Sequence, residues 1–265
     1  MPGAAAGLTL HGFVTGRRRQ SWLKCARMKS ALIAPLVIAA SLTAGGALAR
    51  MPVVVELYTA QGCVSCDKSN AFAAALADRA GVTVLTFNVD YWDYLGWKDT
   101  FAQPEFGDRQ RAYDKRFGLK DVYTPQIIVE GEGQASGDKQ TDVDALIHAA
   151  RRAPETGPEI QPRADGTIAV GEAIGRARSR HPDDVWLVRY DPRARSVQVR
   201  EGDNRGQTVS HRNVVRQLVM LGDWNGHRRV FHLPASPDDG LTTLILVQGQ
   251  NGGRIVSAMK RAAKN

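Results

Sequence analysis

Three cysteines in 265 residues are too few for a four-cysteine zinc site once one of them is set aside with the leader below. The chain also has no Gly-x-Ser-x-Gly elbow and no P-loop, so the common hydrolase and nucleotide-binding signatures are missing. It has no fixed-period repeat and no low-complexity tract, and after residue 49 no apolar run long enough to span a bilayer. Acidic residues are absent from 1–49, which hold Arg17, Arg18, Arg19, Lys24, Arg27 and Lys29. Without that segment the net charge of +8 falls to +2, with 29 basic against 27 acidic residues. The basicity belongs to the leader, and a footprint for nucleic acid is not supported.

What is present begins with that leader. Basic residues precede the apolar stretch "ALIAPLVIAASLTA", and small residues follow, ending Ala47-Leu48-Ala49. This order is that of a secretory signal, with cleavage expected after Ala49. "MKSALIAPLVIAA" is already a complete signal, which points to Met28 as the start. The apolar core is shorter than the roughly 20 residues of a spanning helix, so cleavage is expected rather than anchoring. The mature protein is then periplasmic or secreted, with no membrane span. Cys25 is discarded with the leader, and Cys63 and Cys66 remain in a compartment where a disulfide can persist.

At 43% hydrophobic and 23% charged, the remainder reads as globular. Val53–Thr59 is a buried strand by its β-branched and aromatic content. Val64–Arg79 has helical spacing and stops at Gly81. Val82–Trp92 is a second strand, and "RQRAYDKRFGL" is a helix ending near Gly118. Pro125–Gly131 is a third strand, and Asp142 is a candidate N-cap for the helix "VDALIHAARRA". Alternating strands and helices predict a layered α/β domain over 50–153. "APETGP" (153–158) marks a domain boundary, with the linker over 154–158. Residues 159–265 carry short strand candidates separated by Gly, Asn, Asp and Pro, which predicts a small, mostly antiparallel β domain, a sandwich or barrel. Within it "NVVRQLVMLGDW" fits helix or strand.

The chemistry concentrates at Cys63-Val64-Ser65-Cys66. A strand, a tight turn and C-x-x-C at a helix start would place Cys63 where unpaired N–H groups favour a thiolate. Cys63 would attack a disulfide and Cys66 would resolve the mixed species. The alternatives are a structural bridge and a metal site. As a staple the bridge is weak, because stabilisation grows with loop length. Glu56, mid-strand among valines and Leu57, must be paired or protonated. It is either a proton relay to Cys66 or a carboxylate held by an arginine or backbone partner. Tyr91, Trp92 and Trp97, in "DYWDYLGW", would pack this segment onto the core and secondarily wall a substrate groove.

"VELYTAQGCVSC", "NVDYWDYLGWKD" and "VYTPQIIVEG" together resemble an exported bacterial thioredoxin-like family catalogued as a domain of unknown function. The likeness covers most of Val53–Ala153 and extends weakly through "NVVRQLVMLGDWNG". It implies a thioredoxin-like domain with a central mixed sheet and flanking helices. It also implies a cis Thr124–Pro125 bond, with Pro125 shaping a ledge beside the sulfur and Thr124 contacting extended substrate. The thioredoxin motif Trp-Cys-Gly-Pro-Cys is not reproduced: Gly62 replaces the aromatic residue, and Val64-Ser65 leaves the direction of exchange open.

The expected activity is thiol–disulfide exchange with protein or small-molecule thiols and an unnamed redox partner. No cofactor is expected, since the two sulfurs carry the electrons. A partner-binding module with a structural disulfide is one alternative. Copper handling on a thioredoxin-like scaffold is another, although such proteins typically carry C-x-x-x-C and a dedicated histidine. His148, His181, His211, His227 and His232 show no ligand spacing with the pair, and no metal site is expected.

Overall fold

The computed structural model describes residues 51–173, 181–235, 237 and 239–261. The leader, with the expected cleavage after Ala49, the Met28 start and Cys25, lies outside the described residues.

The apolar run after Pro52 forms β1 (Val53–Thr59), buried along its whole length. The chain then turns through a short 3-10 segment, Val64–Cys66, into α1 (Asp67–Leu76). Next come β2 (Val82–Asn88), α2 (Pro104–Phe117), β3 (Gln126–Val129), β4 (Gly133–Ser136) and α3 (Gln140–Arg152). Pro104 stands at the start of α2, where its missing N–H costs nothing, and Gly118 closes the helix in the left-handed region at φ 69°. The expected second strand stops at Asn88, because the chain turns away towards the aromatic segment. Asp142 is not the cap of α3: the cap position is Lys139, and Asp142 lies in the first turn, where its charge complements the helix dipole.

Among the described residues nine further strands follow: β5 (Ile160–Pro162), β6 (Thr167–Val170), β7 (Asp183–Asp191), β8 (Arg195–Gln198), β9 (Thr208–His211), β10 (Val214–Trp224), β11 (Arg229–His232), β12 (Thr242–Gly249) and β13 (Ile255–Arg261). They are antiparallel to one another, as expected, but they do not make a separate domain. One eight-stranded sheet runs in the order β13-β12-β7-β10-β2-β1-β3-β4, and the described residues form a single compact unit. The join is β10, antiparallel to β7 on one side and parallel to β2 on the other, at Val214↔Thr86. Asn213 enters it at φ 56° and donates from Nδ2 to the Val84 carbonyl at 2.9 Å. Antiparallel pairing with β7 from Val214 to Trp224 decides the ambiguous "NVVRQLVMLGDW" in favour of strand.

β1 pairs parallel with β2 and antiparallel with β3, so alternate β1 side chains face opposite layers. Val53, Val55 and Leu57 pack with Phe72 and Leu76 of α1 and Val143 and Ile147 of α3. Val54 and Tyr58 face the other layer with Phe106 and Tyr113 of α2, and this layer runs on to Val188, Leu244 and Leu246 of the C-terminal strands. The three-stranded sheet β11-β6-β5 covers β7 and β12 on the opposite face, where Ile168 and Phe231 meet Val185, Leu187 and Ile245. The expected sandwich is thus a small sheet laid on an extension of the central one. The result is a mixed α/β layer structure with one large mixed sheet and few helices.

α2 crosses both halves, and its Arg109 is buried between them. Its Nε donates to Glu56 Oε2 at 3.0 Å and its Nη2 to Glu56 Oε1 at 2.7 Å. Nη2 also reaches Gln248 Oε1 of β12 at 2.9 Å. Tyr58 and Tyr113 donate to the two Glu56 oxygens at 2.8 and 3.1 Å. Burial, with Glu56 beside them, holds both phenols above the ordinary tyrosine value, so they remain donors. Each Glu56 oxygen is taken by one arginine bond and one tyrosine bond. Of the two readings of Glu56, the geometry shows the carboxyl held by an arginine partner.

A second buried carboxylate behaves differently. Glu130, at φ 53° after β3, accepts the Val54 amide at 2.6 Å. Burial pushes its pKa up to about 7 against the pull of that bond and of Arg254.

Two outcomes are expected in urea unfolding. Arg109→Met leaves the Glu56 carboxylate buried and unpaired and loses about 3–5 kcal/mol; adding Glu56→Gln recovers part of the loss. For Glu130 the folded state holds the proton more tightly than the unfolded chain. Its contribution is therefore fully present below the unfolded carboxylate pKa and is lost as pH rises through about 7. Glu130→Gln removes that slope, and unfolding measured from pH 4 to 8 checks it.

Candidate functional site

β1 ends at Thr59, and the Cys63 amide closes a turn onto the Ala60 carbonyl at 3.2 Å. Cys63 is the cap residue of the 3-10 turn, Cys66 precedes α1, and the two are joined by a disulfide. The α-helix thus starts three residues later than the expected Val64, and Cys66 instead of Cys63 is its cap. The exposure of the pair also differs from expectation. Cys63 is 1% and Cys66 0% exposed, whereas Val64 between them is 62% exposed. The sulfurs belong to the core layer under α2, with Tyr91 and Trp92 packed against that layer. A readily reachable Cys63 is the expectation that the closed, oxidised form corrects. The exposed part of the motif is Val64-Ser65, with the Ser65 hydroxyl 3.5 Å from Cys63 Sγ.

The turn that carries Cys63 is held through Gln61. Its amide donates to Asp99 Oδ2 at 2.6 Å, and its carbonyl accepts from Asn204 Nδ2 at 2.8 Å. Its side-chain oxygen accepts from Trp97 Nε1 at 2.9 Å and its Nε2 donates to Thr100 Oγ1 at 2.9 Å. Asp99 is itself buried, accepting also from Asn88 Nδ2 at 3.0 Å and the Phe101 amide at 2.9 Å. Burial holds its carboxyl above the usual range despite those bonds.

The aromatic segment divides its work. Trp97 fastens the Gln61 side chain. Trp92 donates from Nε1 to Thr124 Oγ1 at 2.7 Å, and its Cβ lies 3.5 Å from where a side chain on Gly62 would begin. Trp92 thus ties the cysteine turn to the loop that opens β3. Tyr91 bonds Gln110 Oε1 at 3.3 Å, and burial pushes its phenol up to about 12. Packing is what these residues visibly do, while Tyr94, 79% exposed, stands out from the same segment.

The Thr124–Pro125 bond is cis, as the resemblance implied. Pro125 is brought against the first turn of α1 across Gly137. A Cβ on Gly137 would lie 2.7 Å from Ser69 Oγ, 2.9 Å from Ser69 Cβ and 3.1 Å from Pro125 Cβ. Cys63, Cys66, Trp92, Trp97, Thr124 and Pro125 therefore gather in one region. Glu56 is committed to the Arg109 clasp. Among the described residues no group of three His, Cys, Asp or Glu side chains is placed to hold a metal ion. Buried His211 lies edge-on to Phe101, and burial pushes its imidazole down to about 4.

Sequence reasoning missed Gln61, Asp99 and Asn204. No local pattern announces that a side chain 143 positions away completes the Gln61 carbonyl.

A family model described as a protein of unknown function, DUF1223, matches residues 54–248. The match crosses the expected domain boundary, in keeping with the continuous sheet. A crystal structure of a protein from Agrobacterium tumefaciens is similar at a TM-score of 0.65 and 26% identity, covering 82% of this chain and 96% of that one. A comparison with curated proteins found no match. No helix among the described residues is long and apolar enough to cross a membrane.

Gly137→Ala is expected to destabilise the protein by about 1–3 kcal/mol, the usual loss on overpacking, because its new methyl meets Ser69 and Pro125; urea midpoints check it.

Proposed function

The chain belongs to this family of proteins of unknown function, and we propose that this member is an exported, thioredoxin-like thiol–disulfide oxidoreductase. The observation that carries the reading is a two-residue-spaced disulfide at a helix start, tied through Trp92 to a cis-proline loop that packs on the same helix. The thioredoxin-like frame draws support from the parallel β1–β2 pair, the antiparallel β3–β4 hairpin and helices on both faces. Export draws support from the leader, which suits a compartment where the bridge persists.

In the oxidising direction a substrate thiolate attacks Cys63 Sγ. The bond to Cys66 breaks, and Cys66 leaves as a thiolate and takes up a proton. A second substrate thiolate then attacks the mixed disulfide and releases Cys63. The substrate loses two electrons as its disulfide forms, and the pair gains them as two thiols. The reverse sequence reduces a substrate disulfide. Pro125 and Thr124 would present the ledge beside the sulfur, and no cofactor enters the balance.

Burial of both sulfurs favours a second reading, a partner-binding module with a structural bridge. Against it, a bridge closing so small a loop contributes only about 2 kcal/mol by the chain-entropy relation.

Titration in dithiothreitol buffers under native conditions, with alkylation of freed thiols, separates the two. Exchange requires reversible two-electron reduction of folded protein. Cys63→Ser is expected to abolish turnover of a model disulfide, and Cys66→Ser to accumulate the mixed disulfide, seen by mass spectrometry. A pair that opens only in denaturant would establish the structural bridge.

A further inference from the structure

The loop between β8 and β9 is built to stay in shape. The Val199 amide donates to the Gln207 carbonyl at 2.9 Å, the Gly206 amide to the Val199 carbonyl at 2.8 Å, and the Gln207 amide to the Asn204 carbonyl at 2.9 Å. It lies close against the aromatic segment. A Cβ on Gly202, at φ 73°, would be 3.2 Å from the Leu95 carbonyl, and one on Gly96 would be 3.8 Å from Glu201 Oε2. From this loop buried Asn204 reaches across to the Gln61 carbonyl at 2.8 Å, while Asp99 takes the Gln61 amide at 2.6 Å. Both main-chain polar groups of Gln61, two residues before Cys63, are therefore held by side chains, one of them from the far half of the chain.

A disulfide that is 1% and 0% exposed reacts only when its turn opens. Opening that turn strands the Gln61 carbonyl and amide, each a buried group whose lost partner is unfavourable. We infer that Asn204 and Asp99 are positioning residues which, by clamping the Gln61 main chain, keep Cys63 covered and set the rate at which the disulfide is reduced. This rests on the exchange reading and gives the C-terminal half a part in that site. The step itself is the attack of a dithiol reductant on Cys63 Sγ, yielding two protein thiols and the cyclised, oxidised reductant. The clamp changes its rate, not its balance.

The test follows reduction of full-length folded protein by dithiothreitol at pH 8, with thiols trapped by alkylation. Asn204→Ala is expected to be reduced about tenfold faster, the factor that loss of one buried hydrogen bond allows. Hydrogen exchange is expected to quicken in the peptide spanning 60–66 while that of β1 and β12 stays unchanged. Asn225→Ala, on the turn after β10, is the control and keeps the wild-type rate. Should alanine at 204 fail to fold, Asn204→Ser, a donor of shorter reach, is expected to give the same sign. A folded Asn204 variant reduced at the wild-type rate overturns the clamp and leaves the exchange reading standing. Wild-type protein that resists reduction until it unfolds sinks the exchange reading, and the clamp with it.

Discussion

The Arg109–Glu56 pair is the interaction on which the rest of the architecture depends. A guanidinium and a carboxylate are expensive to bury, and each is tolerated here because the other is within 3.0 Å and because Tyr58, Tyr113 and Gln248 complete their bonding. The pair itself joins β1 to α2, and Gln248 of β12 completes its bonding from the far half of the chain. The guanidinium also lies over Phe87, Tyr113 and Trp186, at 5.8, 5.3 and 5.6 Å from the ring centroids. Those contacts place α2 across β2 and β7 as well. A helix docked in this way packs on the core layer that holds the two sulfurs.

At the cysteine turn the structure separates what is buried from what is exposed. The sulfurs are sealed in the core layer, while Val64, Ser65 and Tyr94 face solvent. The turn between them is fastened at Gln61 from three directions, by Asp99, by Trp97 with Thr100, and by Asn204. Trp92 joins that turn to the proline loop. Such a site favours its closed form, and chemistry at the sulfurs becomes coupled to local opening. The burial that argues for a structural bridge thus has a second meaning within an exchange mechanism: it limits which thiols reach Cys63.

Much of this was legible beforehand, and the pattern of success has a cause. β1 was delimited by its β-branched run, the end of α2 by Gly118, and the position of the pair by a turn between strand and helix. All are local signals read within a few residues. The cis bond before Pro125 came from resemblance, not from local chemistry. Glu56 was recognised as needing a partner, but Arg109 lies 53 positions away and nothing near it advertises burial. Asp142 looked like a cap because Asp favours caps, yet the helix began a turn earlier. "APETGP" looked like a linker because Pro and Gly interrupt elements, but they do so within domains as readily as between them.

The sequence by itself determined the elements, their layer-facing stripes and the place of the cysteine pair, because periodicity and turn chemistry act over one or two turns of chain. Only the tertiary structure decided that β10 would pair with both β7 and β2 and so merge two expected domains into one sheet. It alone closed the site, by bringing Asn204 to Gln61 and packing the sulfurs out of solvent. Those outcomes depend on which buried donors and apolar faces find one another across more than a hundred residues, and no local pattern records that choice.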